Sequence, residues 1–533
     1  MPTGDALPGA YAMLKSQCEE QQDTIGKKDE VITAKDAVIT VKDARIAVLE
    51  ELLQLNKAER FAASSESNAL QANFFNEPEM WAGTEPEEVE ADDASQDKEA
   101  GAKAKPKSTR RKGLNPNIPR TQERFLLTDE ERENAIDTFF VSVKEELDIT
   151  PARVQVIEYL QEKAVYLDEA GERKLKAASR PAHPLGKCIA SVALLSYIII
   201  AKYCDGLPLY RQEGILARYG GSITRATMAR WLIRLAPQLQ PVINLLKEVQ
   251  LTADYLQIDE TRLQVLKEHG MLPTGHKWIW VMRGGPPDKP VVLFDYDKSR
   301  GADVAKRLLD GFEGRYLQSD GYAGYDAAVD KESVTHVGCM DHARRKFVNA
   351  IKALPKKKKK DVKSTPKCIV ALAMFDALYR VERDMDKLVL SDEERQAYRH
   401  THAKPKLDKL HAWLLHNSTR VAKDTLTHNA ISYSLKQWSK LIAYCDHGQL
   451  RISNILAENA IRPFAVGRKA WLFSDTPAGA NASALYYTLI ESAKANQLDP
   501  YQYIKHLVGH IAASETVEDI EALLPWNVKD QLA

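Results

Sequence analysis

The sequence lacks the cysteine patterns that hold small secreted domains or zinc modules together. Its six cysteines are scattered over 533 residues without a Cys-x-x-Cys pair. A disulfide framework and a cysteine-based zinc site are therefore not expected, and a reducing, cytoplasmic environment fits best. The most apolar run, residues 189–201, is interrupted by polar side chains and is too short to cross a bilayer. Because no charged-then-apolar signal segment opens the chain, we predict a cytoplasmic protein that does not enter the membrane.

The chain also lacks an excess of charge of either sign. It contains 74 Lys and Arg residues and 74 Asp and Glu residues, so no global positive charge indicates a nucleic-acid partner. A local basic surface that is balanced by acidic segments elsewhere is still compatible with this composition. Since 533 residues are too many for one hydrophobic core, we expect several folded units.

A seven-residue repeat is present near the start of the chain. Lys-Asp pairs return in register at residues 28, 35 and 42, and two columns of apolar residues run beside them. This pattern predicts a long helix with a wide apolar stripe, which is best buried against copies of itself as a coiled coil. An amphipathic helix that packs on its own domain is the alternative.

Changes in composition and pattern divide the chain into segments. The first four are a coiled-coil helix over 1–75, a charged disordered linker over 76–118, a small β-containing module over 119–182 and a helical, helix-turn-helix-like region over 183–250. The remaining four are a catalytic part over 251–350, a helical insertion over 351–447, a second catalytic part over 448–510 and a C-terminal element over 511–533. The fold class predicted from this order is multidomain α+β.

The helical region contains a candidate helix-turn-helix. Gly220 and Gly221 can adopt the backbone angles of a sharp turn, and Ser222 or Thr224 can cap the helix that follows. That second helix could enter the major groove of DNA. The alternative is an ordinary helical hairpin that packs within a bundle. The candidate DNA contacts on this helix are Arg225, Arg230 and Arg234.

Three carboxylates in distinct local contexts follow. Asp259 lies in a strand-like segment, Asp320 ends another, and Glu458 lies in a stretch with a helical pattern. Hard divalent cations prefer carboxylate oxygen, and two of them about 4 Å apart can hold the attacking and leaving oxygens of a phosphoryl transfer. These carboxylates therefore predict a site for two Mg²⁺ or Mn²⁺ ions.

The elements around the carboxylates follow the order of a ribonuclease-H-like fold. Three consecutive strand patterns precede a helix, and strands then alternate with helices. In that fold the first carboxylate lies on the first strand and the second at the end of the fourth, which are the positions of Asp259 and Asp320. Glu260 is the neighbour of Asp259 on a strand, so the two side chains point to opposite faces. The other rival acids are Asp254, Asp326, Asp341 and Glu491.

Cations and an aromatic residue lie close in sequence to the carboxylates. They suit contacts with the DNA backbone and, for the aromatic ring, stacking on an unpaired base. We expect His342, within this group, to position other residues rather than to bind a metal. The candidate DNA contacts are Arg344, Arg345, Lys346, Arg462, Arg468, Lys469 and Trp471.

Several short segments, in chain order, resemble the large transposase of the IS sixty-six family of bacterial insertion sequences. They are LPLYRQE, IDET, QSDGYAGYD, HARRKF, AEN-AIRP, VGRKAWLF and LIESAKANQLDPYQY. The resemblance covers roughly residues 140–526, and the LLPW at 523–526 is similar to the C-terminal element of the family. Because that family belongs to the DDE superfamily, the resemblance implies that Asp259, Asp320 and Glu458 are its metal-binding carboxylates.

The resemblance also implies a reaction and partners. The expected reaction is metal-dependent cleavage at the ends of a mobile element, which frees a 3′-hydroxyl that attacks target DNA. The expected partners are terminal inverted repeats, target DNA, further copies of the chain joined by the coiled coil, and the small accessory proteins that are encoded beside relatives. Relatives usually carry a zinc module with paired cysteines, but the matching stretch, about 120–180, has no cysteine. No structural zinc is therefore expected there.

Two other functions stay open at this point. A catalytically silent DNA-binding or assembly relative could keep the same fold, although the presence of all three acids weighs against it. A ribonuclease-H-like nuclease that cuts without strand transfer would use the same carboxylates. The coiled coil and the helix-turn-helix favour a transposase, because a transposase must recognise two DNA ends and bring them together.

Overall fold

The computed structural model describes residues 6–61, 140–141, 153–167, 173–179, 181–328, 333–354 and 365–532. The predicted linker over 76–118 lies outside these residues, as does most of the module over 119–182. The first of two compact units comprises residues 1–63 and 156–533, and the elements below belong to it. It is a mixed α/β structure with a long N-terminal helix and a mixed sheet.

The heptad region forms one long helix, α1 (Ala6–Phe61), as predicted. Near its end Val48 is buried, and Glu51 Oε2 accepts a hydrogen bond from the backbone N–H of Leu426 at 2.9 Å. This end of α1 therefore packs on the rest of the unit. Most of the apolar stripe is exposed in the single chain, including Ile25, Val31, Ile32, Val38, Ile39, Ile46, Leu49, Leu52 and Leu53.

A small hairpin and three helices follow. The strands β1 (Lys163–Leu167) and β2 (Arg173–Ala177) pair antiparallel, and the helices are α2 (Val192–Tyr203), α3 (Leu209–Arg218) and α4 (Arg225–Leu251). Gly220, between α3 and α4, has a φ of +85°, a value that favours glycine. Thr224 caps α4 by accepting a hydrogen bond from the N–H of Thr227 at 3.3 Å. Helices α3 and α4 are thus joined by a short turn, and α4 continues far enough to contact the sheet.

A five-stranded sheet forms the centre of the unit. Its strand order is β5-β4-β3-β6-β7, with β3, β4 and β5 antiparallel and β3, β6 and β7 parallel. The elements, in chain order, are β3 (Tyr255–Gln264), β4 (His276–Gly284), β5 (Val291–Asp297), α5 (Ala302–Leu308), β6 (Tyr316–Gln318), α6 (Ala323–Ala328) and β7 (Thr335–Val337). Strands and helices therefore occur in the predicted sequence.

Helix α14 (Pro477–Ala495) closes the outer edge of this sheet at β5. Thr488 Oγ1 accepts a hydrogen bond from the N–H of Phe294 at 2.8 Å, and Ser492 Oγ accepts one from the N–H of Val292 at 3.1 Å. An edge strand presents unpaired backbone groups that can recruit another strand. The two hydroxyl groups satisfy these groups on β5, so small polar residues inside an otherwise apolar helix have a structural purpose.

The remaining described elements are helical. They are α7 (Met340–Lys352), α8 (Lys367–Met385), α9 (Asp392–His402), α10 (Lys404–Ser418), α11 (Leu426–Lys436), α12 (Trp438–Ile442), α13 (Ile455–Trp471), α15 (Pro500–His510), α16 (Val517–Glu521) and α17 (Lys529–Leu532). Helices α7 to α12 pack around a second hydrophobic cluster, which includes Phe347, Phe375 and Leu410 and also Tyr255 and Val337 of the sheet. Over the ranges that the structure describes, no helix combines the length and apolar character needed to cross a membrane.

A buried arginine connects the helical insertion to the loop before α13. Arg399, on α9, is fully buried and forms two hydrogen bonds with the carboxylate of Glu382, at 2.9 and 2.7 Å. Its other N–H groups donate to the carbonyl oxygens of Tyr444, His447 and Leu450 at 2.8 to 3.0 Å. The conformation of the loop that leads into α13 therefore depends on one guanidinium group.

Candidate active site

The three predicted carboxylates come from three elements that meet beside the middle of β3, at the C-terminal end of β6. Asp259 lies on β3 opposite Val281 of β4, Asp320 follows the end of β6, and Glu458 lies in the first turn of α13. Strands β3 and β6 are parallel neighbours. Chain segments separated by up to 200 residues are thereby brought together.

A short internal repeat explains the placement of the two aspartates. Residues 255–259 read YLQID and residues 316–320 read YLQSD. In the sheet Tyr255 pairs with Tyr316, and Gln257 pairs with Gln318, in parallel register. Asp259 and Asp320 each follow two residues after a paired glutamine, on strands whose usual spacing is about 4.8 Å. This repeat is visible in the sequence without a structure.

The paired glutamines also attach α13 to the sheet. Gln257 Oε1 accepts a hydrogen bond from the N–H of Ala457 at 3.0 Å, and its Nε2 donates to Gln318 Oε1 at 2.9 Å. Gln318 Nε2 donates to the carbonyl oxygens of Gly338 at 3.0 Å and Arg451 at 2.8 Å. Both glutamine side chains are buried. This network fixes the residue that immediately precedes Glu458 against the strand that carries Asp259.

The carboxylates are close enough to affect one another electrostatically. The pKa of Asp259 is raised well above its usual value, first by burial and then by the negative charges of Glu260, Glu458 and Asp320. Among the described residues, no Lys, Arg or His side chain forms an ion pair with Asp259. A buried carboxylate that is surrounded by like charge needs a cation to ionise. The donor set therefore fits hard divalent ions such as Mg²⁺ or Mn²⁺.

The rival acids have local partners instead. Glu260, on the opposite face of β3 from Asp259, binds Arg300 and accepts a hydrogen bond from Tyr325. The other pairings are Asp254 with Arg315, Asp326 with Lys440 and His336, Asp341 with the hydroxyl of Tyr379, and Glu491 with Lys494. Each of these acids thus has a structural explanation that does not involve a metal.

Backbone and side-chain contacts hold Asp320 in place. Its Oδ1 accepts a hydrogen bond from the N–H of Tyr322 at 2.9 Å, and its Oδ2 lies 3.8 Å from Nη2 of Arg300. The intervening Gly321 faces Tyr433 of α11, whose hydroxyl oxygen would be 2.5 Å from any added Cβ. A Cβ at this position would have to displace the Tyr433 ring, so glycine allows the Asp320 loop to pack closely against the helical insertion.

A Ser-His-Asp chain lies beside Asp320 without forming a nucleophilic site. The hydroxyl of Ser319 is 2.7 Å from His336 Nε2, and His336 Nδ1 is 2.8 Å from Asp326 Oδ1. A nucleophilic serine must be accessible to its substrate, but Ser319 is 0% exposed. This chain of hydrogen bonds connects the end of β6 to α6 and β7, so we assign it a structural role.

Glu458 faces three residues at the start of α7. Its Oε2 lies 3.7 Å from Nη2 of Arg345, and its Oε1 lies 3.7 Å from Nδ1 of His342 and 4.0 Å from Sγ of Cys339. Arg345 was predicted as a DNA contact, and the structure brings it to the carboxylate as well. Cys339 was not singled out in the sequence, although its spacing of three residues from His342 was available as a signal.

The remaining predicted DNA contacts lie in different surroundings. Arg225, Arg230 and Arg234 are exposed on α4. Arg344 forms an ion pair with Asp376 at 3.1 Å, and the Lys346 ammonium lies 4.4 Å from the ring centre of Tyr433. The first group is accessible to a large ligand, whereas the α7 side chains also have partners within the protein.

The predicted contacts on α13 are partly buried, except for Lys469, which is exposed. Arg462 is half-buried, and Arg468 Nη1 donates to Thr261 Oγ1 at 3.3 Å on β3. Burial lowers the pKa of Arg468 from its usual value. Trp471 packs against Phe464, with ring centres 5.4 Å apart. Thr261 is two residues after Asp259 on β3, so the two side chains share one face of the strand. Arg468 therefore contacts the face that carries Asp259.

Three descriptions of known protein families match parts of the chain. The description "Transposase IS66 family" matches residues 187–482, more than half of the chain. The chain belongs to the IS66 transposase family. The "IS66 C-terminal element" matches residues 488–526 of this family member, and "Transposase C of IS166 homeodomain", a DNA-binding element, matches residues 48–122. The last match falls mostly outside the described residues.

Similar proteins occur in Sinorhizobium fredii (strain NBRC 101917 / NGR234). The protein y4jD is 30% identical to this IS66 family member over 400 residues, which are 73% of this chain and 75% of y4jD. The protein y4qI is 30% identical over 72% of this chain and 71% of its own length. The protein y4hP is 28% identical over 73% and 70%. All three are described as uncharacterized proteins, so they add no activity.

Proposed function

We propose that this chain is a DDE transposase that cleaves the ends of an insertion sequence and transfers the freed strands to target DNA. The observation that carries the proposal is the convergence of Asp259, Asp320 and Glu458 beside the middle of β3, where burial and like charge raise the pKa of Asp259. The strand order β5-β4-β3-β6-β7, with two parallel additions to an antiparallel meander, is the order expected of a ribonuclease-H-like catalytic domain.

In this proposal Asp259, Asp320 and Glu458 would hold two Mg²⁺ or Mn²⁺ ions. When bound, the ions would supply a lowered pKa for water or for a 3′-hydroxyl and a positive charge beside the scissile phosphate. Asp320 is oriented by the N–H of Tyr322, and Glu458 is oriented by the attachment of Ala457 to Gln257. The protein thereby fixes the donor atoms before DNA binds, which reduces the reorganisation that the reaction requires.

Cationic side chains around the carboxylates suit the phosphates on either side of the cut. Arg345 is exposed and lies 3.7 Å from Glu458, and Arg300 lies 3.8 Å from Asp320. Arginine binds phosphate through a planar fork of N–H donors. We propose that Arg345 moves from Glu458 to a phosphate oxygen when DNA is bound, whereas Arg300 keeps its contact with buried Glu260.

The test is a strand-transfer assay with the full chain, DNA that carries the ends of the element, and Mg²⁺ or Mn²⁺. Metal-dependent nicking followed by joined products is the expected result. Cleavage without joining would favour the nuclease alternative. Binding of the ends without cleavage, even with the accessory proteins of the element present, would favour the silent DNA-binding alternative.

We propose that α4 contributes to DNA binding through Arg230 and Arg234, which lie one turn apart and are exposed. Replacing both with alanine is expected to weaken binding to all DNA sequences. The slope of log affinity against log salt concentration should fall by an amount that corresponds to about two phosphate contacts. Binding isotherms over a range of salt concentrations measure both effects. Lys387→Ala, which removes an exposed lysine from the helical insertion, is the control. If the salt slope of the double variant were unchanged, α3 and α4 would form an ordinary helical hairpin that does not contact DNA.

We also propose that α1 joins copies of the chain through its exposed apolar stripe. The double substitution Ile32→Lys with Ile39→Lys is expected to remove about 4 kcal/mol of the stabilisation that apolar burial gives the assembly. This corresponds to a dissociation constant that is larger by roughly a thousandfold. Sedimentation equilibrium of the full chain measures this change. Thr33→Lys with Thr40→Lys is the matched control, because both threonines bond only to the backbone of α1. A wild-type monomer at all concentrations would contradict the proposal.

A further inference from the structure

A thiol and an imidazole lie next to the proposed catalytic carboxylates. Cys339 and His342 stand at the start of α7, and Glu458 lies 119 residues after Cys339 in the chain. One ligand atom from each of these three residues lies within 4.8 Å of the other two. The Sγ of Cys339 and the Nδ1 of His342 both face the same oxygen, Oε1 of Glu458, at 4.0 and 3.7 Å.

These separations are close to those of a zinc site. With Zn–S near 2.3 Å and Zn–N or Zn–O near 2.0–2.1 Å, the ligand atoms of a tetrahedral site lie roughly 3.3–3.6 Å apart. The separations of 3.7 and 4.0 Å from Oε1 of Glu458 exceed this range by a few tenths of an ångström, and the third pair, Sγ of Cys339 and Nδ1 of His342, lies within 4.8 Å. Small side-chain rotations would therefore bring all three atoms onto one ion, with the fourth position left to solvent.

Unsatisfied polar atoms surround the same place. The Nδ1 of His342 is buried and has no hydrogen-bond partner in the part of the chain that the structure describes. Asn454, one turn before Glu458, is fully buried, and neither atom of its side-chain amide finds a partner among the described residues. A buried polar group without a partner costs about 1–3 kcal/mol. This cost would fall if His342 bound an ion.

The two carboxylate oxygens of Glu458 face different neighbours. Oε1 faces the sulfur and the imidazole, whereas Oε2 lies 3.7 Å from the guanidinium of Arg345. An ion that binds Oε1 therefore leaves the contact with Arg345 intact. The all-carboxylate set that includes Asp259 suits a hard cation, whereas a thiolate and an imidazole select a softer one such as Zn²⁺.

We propose that Cys339, His342 and Glu458 form a site for a thiophilic divalent ion such as Zn²⁺, distinct in its ligands from the carboxylate site for Mg²⁺. When the metal–sulfur bond forms, the thiol of Cys339 loses its proton to solvent. Because Glu458 would belong to both sites, Zn²⁺ would withdraw it from the carboxylate set and inhibit the enzyme. Binding is independent of the proposed transposase activity, and the inhibition rests on it.

This site was not expected from the sequence, where a cysteine-based zinc site was considered unlikely and His342 was expected to position other residues. The Cys339–His342 spacing supplies only half of a ligand set. The third ligand comes from a helix that follows the whole insertion, so its distance from the pair is decided by tertiary packing.

The test is titration of the full chain with Co²⁺, which replaces Zn²⁺ and can be observed by absorption. We expect a sulfur-to-cobalt charge-transfer band, intense visible bands of tetrahedral Co²⁺, and loss of both on addition of Zn²⁺. Cys339→Ser should abolish the charge-transfer band, and His342→Ala and Glu458→Gln should each weaken Co²⁺ binding by at least about tenfold. Cys368→Ser, which changes another buried thiol within the insertion, should retain the wild-type spectrum.

Circular dichroism and thermal unfolding show whether each variant is folded, and Glu458→Gln keeps the shape of its side chain. No charge-transfer band in the wild type, or a band that survives in Cys339→Ser, would overturn the site. In the strand-transfer assay with Mg²⁺ in excess, half-inhibition of Cys339→Ser should need at least about tenfold more Zn²⁺ than half-inhibition of the wild type. Equal sensitivity would overturn the shared role of Glu458, whereas a failure of strand transfer itself would leave the spectra as the deciding result.

Discussion

Replacing Asp259 with asparagine is expected to reduce metal-dependent DNA cleavage by roughly a thousandfold or more. The substitution preserves the size of the side chain and removes the charge that would hold both ions. Loss of several kcal/mol of transition-state stabilisation corresponds to about one factor of ten for each 1.4 kcal/mol. Rates of nicking and joining, measured with the wild type and the variant on the same DNA, give this ratio directly.

DNA binding by the Asp259→Asn variant should remain close to that of the wild type. Binding rests on contacts between cations and phosphates, and removing a negative charge from the site does not weaken them. The matched control is Asp254→Asn, five residues earlier, where the carboxylate is paired with Arg315 at 2.6 Å. If the Asp254 variant lost as much activity as the Asp259 variant, or if the Asp259 variant cut normally, our assignment of the carboxylates would be wrong.

The second large effect is expected from Arg399→Ala. This change leaves Glu382 as a buried carboxylate without its partner and removes donors from the carbonyl oxygens of Tyr444, His447 and Leu450. Breaking a buried ion pair from one side costs about 3–5 kcal/mol. We therefore expect a clearly lower unfolding midpoint in denaturant and faster amide exchange over residues 443–454.

Arg395→Ala is the control for this prediction. Arg395 lies on the same helix and pairs with Asp386 at 2.7 Å, but the Asp386 side chain is 51% exposed. Exposed pairs contribute about 0–1 kcal/mol, so the midpoint of this variant should move little. Arg399→Lys should also be destabilised, because a lysine ammonium cannot make the bidentate contact. Equal midpoints for Arg399→Ala and Arg395→Ala would contradict the role that we assign to the buried pair.

The sequence was sufficient for the elements that local patterns specify. The heptads predicted α1, the glycines and Thr224 predicted the turn before α4, and apolar runs rich in β-forming residues predicted the strands around Asp259. Such patterns depend on residues within a few positions of each other. The resemblance in short motifs was also readable without a structure, and the family match confirms it.

The proximity of distant groups was decided by the tertiary structure. The parallel register of the two YLQxD segments places Asp259 and Asp320 on adjacent strands, and buried Gln257 and Gln318 fasten α13 to them. The contact of Glu458 with Cys339 and His342 is of the same kind. Local propensity carries no information about which elements pack together, because packing depends on burial and hydrogen bonding between segments that are far apart in the chain. The sequence by itself thus determined which helices and strands form and which carboxylates to examine. Only the tertiary structure decided which of their side chains share one site.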